Sequence, residues 1–98
     1  MAQVIWTEPA LRQLEAIADF IALDKPEAAQ AVVRGIFAAT ENVEKFRFLG
    51  RTIREFPHEH YRQLWLSPCW IYYRISEDAI YILHVRRAEN PLKVEELT

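Results

Sequence analysis

Ninety-eight residues, 51% apolar and 27% charged with only two glycines, describe one globular domain spanning residues 1–98 and exclude a disordered chain or a two-domain protein. The net charge of −2 argues against unspecific nucleic-acid binding by the chain as a whole. No apolar stretch approaches the roughly 18 residues of a membrane span and no signal peptide precedes Trp6, while one cysteine, Cys69, cannot form an internal disulfide, so a cytoplasmic protein is expected.

Charge is unevenly spread: residues 1–44 carry −4, residues 45–87 carry +4 and residues 88–98 carry −2. Gln3-Val4-Ile5-Trp6 is short and β-prone, an edge strand added to a larger sheet. Thr7 caps a helix whose first turn holds Glu8 and Pro9, where a missing N–H costs nothing and a negative charge suits the helix dipole. Ala10, Leu11, Leu14, Ile17, Ala18 and Ile21 recur at three and four and make one apolar stripe. Asp24-Lys25-Pro26-Glu27 then ends that helix and opens a second, with Asp24 as cap and Glu27 reaching back. Ala29, Val32, Val33, Ile36, Phe37, Thr40 and Val43 form the second stripe, to about Phe46. So short a link makes the two helices an antiparallel hairpin. Gly50 stops the second helix as the residue of positive φ, and residues 52–60 read as a polar loop or short irregular edge.

Residues 61–87 hold three β-branched and aromatic runs, 61–66, 69–76 and 79–86, separated by Ser67-Pro68 and Glu77-Asp78. That is a meander of antiparallel strands. With loops of two or four residues, Leu66 faces Cys69, Leu64 faces Ile71, Ile75 faces Ile80 and Tyr73 faces Ile82 on a core face. The opposite face then carries Tyr61, Gln63, Trp65, Trp70, Tyr72, Arg74, Tyr81, Leu83, Val85 and Arg87. Such an aromatic and cationic face marks a partner site, a groove, or cover by the chain's own remaining segments. Ser67-Pro68 does not fit the favoured primed turns, and a three-residue loop there would swap the faces. After Arg87 regular structure breaks at Ala88-Glu89-Asn90-Pro91, and residues 92–98 receive no assignment. The fold class is α+β in the order βααβββ, a helical hairpin on one face of a small antiparallel sheet.

This order resembles the RelE/ParE superfamily of bacterial toxins from toxin–antitoxin systems. The resemblance runs from Val4 to about Arg87. It rests on Trp6-Thr7 with Ala10, Leu14 and Ile17; Pro26-Glu27-Ala28-Ala29; Leu49-Gly50-Arg51; Tyr61-Arg62-Gln63-Leu64; Tyr73-Arg74-Ile75; and His84-Val85-Arg86-Arg87. Each mark is short, and all occur in order at compatible spacing. Within the superfamily the chain looks more like the ParE branch. That resemblance implies a toxin that inhibits DNA gyrase without enzymatic activity or cofactor. It also implies a hetero-oligomer with a ParD-like antitoxin, a ribbon-helix-helix protein whose C-terminal segment folds on binding. Neither sequence-specific DNA binding by this chain nor a membrane partner is implied.

The RelE branch cleaves messenger RNA in the ribosome, chemistry that needs cations to hold the phosphate and a group to move protons. Here residues 52–60 contain no lysine and no tyrosine follows Tyr81; where both branches commonly place tyrosine-arginine, this chain has Cys69-Trp70, which also departs from the ParE pattern. A non-toxic module that only binds antitoxin is a third reading. Tyr61, Trp65, Trp70, Tyr72, Arg74, Tyr81 and Leu83 are the expected antitoxin contacts, and Arg62, Arg86 and Arg87 the expected toxicity residues. His58-Glu59-His60 lacks a third ligand at recognisable spacing and reads as a solvated loop, not a metal site. Cys69 falls on the core face and reads as a buried thiol, not a nucleophile.

Overall fold

In the computed structural model, which describes residues 3–97, strand β1 (Gln3–Trp6) lies beside the last strand, β5 (Ala79–Arg87), and parallel to it. Between them come α1 (Glu8–Ala22), α2 (Pro26–Lys45), β2 (Arg51–Thr52), β3 (Tyr61–Leu66) and β4 (Cys69–Ile75). The spatial order is β1-β5-β4-β3-β2. The sheet is therefore mixed, not wholly antiparallel: the meander holds as expected, the helical hairpin carries the chain from β1 to β2 at the opposite edge, and β5 returns beside β1 in parallel. A short 3-10 helix, Val94–Leu97, follows the sheet, and Thr98 lies outside the described residues.

Thr7 joins the helix layer to the sheet. Its hydroxyl donates to the Ile82 carbonyl at 2.7 Å and accepts from the Ala10 N–H at 3.4 Å, so the expected cap also anchors α1 beside β5. The second cap differs from expectation. Lys25, not Asp24, is the N-cap of α2, and no side chain caps it. The residue before a proline is excluded from helical geometry, and Lys25 is accordingly extended. Ala10, Leu14, Ile36 and Val43 pack on Cys69, Ile71, Tyr73, Ile75, Ile80, Ile82 and Val85 as one core. Leu11 and Phe37, expected in the stripes, sit at their exposed margins.

Gly50 has no positive φ, contrary to expectation; what demands glycine is space. A Cβ there would meet the Gln63 carbonyl oxygen at 2.8 Å and the Tyr73 ring and hydroxyl at 2.9 Å. The Gly50 N–H donates to the buried Tyr73 hydroxyl at 2.7 Å, which donates onward to the Arg47 carbonyl at 2.9 Å. Two bonds from one tyrosine thus fix the chain between α2 and the short edge strand β2. Just beyond, Ile53 is buried within what composition marks as a polar loop.

The β3–β4 register agrees residue for residue with expectation: Tyr61 opposite Arg74, Leu64 opposite Ile71, Trp65 opposite Trp70 and Leu66 opposite Cys69. The connecting Ser67-Pro68 peptide is cis, so the two-residue loop belongs to the turn class with cis-proline at its third position. The β4–β5 register holds for Ile75 with Ile80 and Tyr73 with Ile82, then shifts at Tyr72/Tyr73. Leu83 is the additional residue of a β-bulge, and beyond it the faces exchange. Val85, expected on the open face, is fully buried in the core opposite Ile71, and Arg87 lies opposite Cys69 on the helix side. His84 and Arg86 take the places on the open face opposite Tyr72 and Trp70.

Candidate functional site

The sheet face away from the helices is built in rows across the strands. One row joins Tyr61, Arg74 and Tyr81, and the Arg74 guanidinium lies 4.6 Å from the Tyr81 ring centre, in stacking range. The next holds Arg51, Gln63, Tyr72 and His84. The third joins Trp65, Trp70 and Arg86, with the two indoles 5.0 Å apart and Arg51 5.7 Å from the Trp70 ring. Of the expected antitoxin contacts, six therefore share this face as predicted, and Leu83 stands at the bulge.

The middle of the face is covered by the chain itself. Arg86 pairs with Glu96 at 2.7 Å, the His84 Nε2 lies 3.3 Å from the Glu96 carbonyl, and Tyr72 is buried with Leu92 across from it. Burial pushes the Tyr72 hydroxyl above its ordinary 10.0, against the downward pull of the Leu92 backbone and the Arg86 charge. Between the tail and the sheet is a cleft of about 580 Å³, walled by Ile53, Trp70 and Tyr72 on one side and Leu92, Val94 and Leu97 on the other. The face is thus covered by the chain itself at its centre and open at the Trp65 margin.

His84 is held on both sides of the ring. Gln13 accepts the Val85 N–H through Oε1 at 2.8 Å, which leaves its Nε2 to donate to His84 Nδ1 at 3.0 Å. His84 Nδ1 is then an acceptor and Nε2 carries the proton toward Glu96. Burial holds the imidazole below its ordinary 6.5, with the Glu96 backbone bond opposing. Gln13 also occupies the edge of β5 where β1 has ended, a role that helical periodicity alone does not reveal.

Arg62, Arg86 and Arg87 do not converge. Arg62 lies on the helix side of β3, donating to the Glu59 and Gly50 carbonyls and lying 4.9 Å from the Phe48 ring. Arg87 lies at the far end of β5 over Phe20 of α1, 4.3 Å from its ring, with Glu89 at 3.7 Å. Arg86 alone faces the tail. Cys69 is fully buried, and burial raises its thiol above the ordinary 9.0. His58 packs against Phe56, His60 and Tyr61, and among the described residues no three metal-ligating side chains gather.

A family model described as the ParE toxin of the type II toxin–antitoxin system parDE matches residues 4–91, most of the chain. The chain belongs to the ParE toxin family. Toxin RelE2 of Caulobacter vibrioides is 32% identical to this ParE-family toxin over 92 residues, covering 90% of this chain and 97% of that one. A solved structure described as a chromosomal ParDE TA system from P. aeruginosa superposes with a TM-score of 0.74 and 27% identity, covering 89% of this chain and 96% of its counterpart. In this member, the expected tyrosine-arginine pair at the start of β4 is Cys69-Trp70: the cysteine is core and the indole joins Trp65 on the open face.

Proposed function

We propose that this ParE-family toxin inhibits DNA gyrase by binding it, without covalent chemistry of its own, and is neutralised by a ParD-like antitoxin. In this reading the antitoxin is a ribbon-helix-helix protein whose C-terminal segment folds on this chain. The observation that carries the reading is the separation of the arginines. Arg62, Arg86 and Arg87, the arginines expected to carry toxicity, lie on two sides of the sheet, each engaged by the chain's own groups, so these three do not gather around one phosphate as RNA cleavage by them would need. The open face supplies stacked indoles and an Arg74–Tyr81 pair, residue types that carry energy in protein interfaces. The ParDE description of the P. aeruginosa structure supports an antitoxin as partner.

The test is a supercoiling and cleavage assay with purified gyrase and the chain released from its antitoxin. Accumulated linear or nicked DNA is expected, and exchange of Trp70 for arginine should alter its extent. The name of the Caulobacter relative keeps a second reading, a ribosome-dependent endoribonuclease. Translation-dependent RNA cleavage, lost in the Arg86→Ala/Arg87→Ala variant while antitoxin binding persists, would replace the gyrase reading. A folded chain inactive in both assays would be an antitoxin-binding module alone.

A further inference from the structure

Leu49, 48% exposed, and Trp65, 45% exposed, stand together at one corner of the sheet, and Phe46 at 64% and Phe48 at 52% precede them in the chain. The segment that runs into this corner is basic, and its Arg51 lines the corner beside Trp70. Residues 45–54 contain Lys45, Arg47, Arg51 and Arg54 and no acidic residue, and among the described residues none of these four forms an ion pair. The two features meet at a cleft of about 230 Å³ lined by Leu49, Arg51, Trp65 and Trp70.

Three physical points decide what fits there. Apolar groups of this size left in water beside unpaired cations are expensive to leave uncovered if they form one patch, and a monomer seldom carries such a patch without use for it. Arginine and tryptophan are enriched where interfaces concentrate their energy. Finally, the rest of the chain opposes a long polyanion: residues 1–44 carry −4 and the whole chain −2, so a nucleic acid would gain at this corner and lose nearby. A short acidic segment with one or two apolar side chains meets the corner alone.

We propose that the corner formed by residues 45–54 with Trp65 and Trp70 docks an acidic, amphipathic polypeptide segment of the antitoxin, seating an apolar side chain in the Leu49/Trp65/Trp70 cleft and carboxylates on Arg51 and Arg54. The proposal rests on the antitoxin reading above and relocates its main contact. The centre of the open face is already occupied by the chain's own tail, with Glu96 on Arg86. Leu49, Arg51 and Trp65 are not part of the cleft beneath the tail, and Trp70 borders both clefts.

The test uses the full chain and a full-length ParD-like antitoxin that neutralises it, with affinity measured by titration at low and high salt. Arg51→Glu/Arg54→Glu is compared with Lys25→Glu/Arg34→Glu, which changes net charge equally on the helical side. The corner variant is expected to bind about tenfold or more weakly at ~0.1 M salt, and the difference should close toward ~0.5 M. The helical-side variant should stay within about threefold of the parent. Leu49→Ser tests the apolar half at an exposed position and should also weaken binding, at both salt concentrations alike. Circular dichroism and the melting midpoint establish that each variant is folded. Corner and helical-side variants weakened equally, or a corner variant with parental affinity, would overturn the proposal. So would a salt-sensitive complex of the corner with a single-stranded oligonucleotide that leaves antitoxin affinity independent of these residues. An unmodified chain that no such antitoxin binds would instead remove the reading beneath it.

Discussion

Replacing Gly50 by alanine adds one methyl group where the structure has no space for it. The new Cβ would stand 2.8 Å from the Gln63 carbonyl oxygen and 2.9 Å from both Cε1 and the hydroxyl of Tyr73. Gln63 is held in the β2–β3 and β3–β4 pairings, and Tyr73 is fully buried, so neither gives way as the end of a flexible side chain would. Overpacking of this kind costs about 1–3 kcal/mol. If Tyr73 moves to relieve it, the bonds from the Gly50 N–H at 2.7 Å and to the Arg47 carbonyl at 2.9 Å weaken, each contributing about 1 kcal/mol. Against this stands a gain of about 0.4–1 kcal/mol from stiffening the unfolded chain, available because Gly50 does not need positive φ. The net expectation is a loss of about 2–3 kcal/mol, or roughly 10–20 °C in melting midpoint for a domain of this size. Thermal and urea melts of the purified chain measure it. Gly35→Ala in α2 is the control: its Cβ would meet only Leu66 Cδ2 at 3.5 Å, an ordinary contact, and helix propensity predicts a gain of about 0.5–1 kcal/mol. A Gly50→Ala melt equal to or above the parent's would refute the packing argument and return Gly50 to the ordinary role of a helix stop.

Gln13→Leu removes the acceptor of the Val85 N–H and the donor to His84, so a loss of about 1–3 kcal/mol is expected in urea melts, with faster amide exchange at Val85. His84 is held neutral below its ordinary 6.5, while the unfolded chain takes up a proton near that value. Its contribution is therefore full above about pH 6.5 and is lost as pH falls through the lower folded value; a His84→Gln variant should show a flatter stability profile between about pH 7.5 and 5. Cys69 should resist a thiol reagent in the native chain and react at a rate set by unfolding, since it is buried with its thiol raised above 9.0; rapid native labelling would contradict this. Glu96→Gln breaks a pair whose side chains are 18% and 34% exposed, so it should cost no more than about 1 kcal/mol while measurably increasing hydrogen exchange across residues 91–97.

Local periodicity and turn chemistry suffice for the hairpin, the meander and the pairing of Trp65 with Trp70, because each depends on spacing within one short stretch. Thr7 is legible as a cap for the same reason, whereas Lys25 displaces Asp24 through a steric effect of Pro26 that a capping pattern does not weigh. The candidate site divides similarly. Tyr61, Arg74 and Tyr81 are brought into one row by loop parity alone, but the bulge at Leu83 sends Val85 and Arg87 to the helix side and Arg86 to the open face. A bulge answers to what packs across the strands: Val85 completes the core over Ile71, and Gln13 of α1 takes the amide that β1 no longer reaches. No alternation within residues 79–87 carries that information. The tail's place over Tyr72, the parallel seating of β1 and the clearance at Gly50 likewise depend on residues far apart in the chain. The sequence by itself determined the helical hairpin, the first strand and the meander, and which side chains share a face up to the bulge at Leu83. Tertiary packing alone decided which of them remain open to a partner, because exposure is a property of what the rest of the chain leaves uncovered.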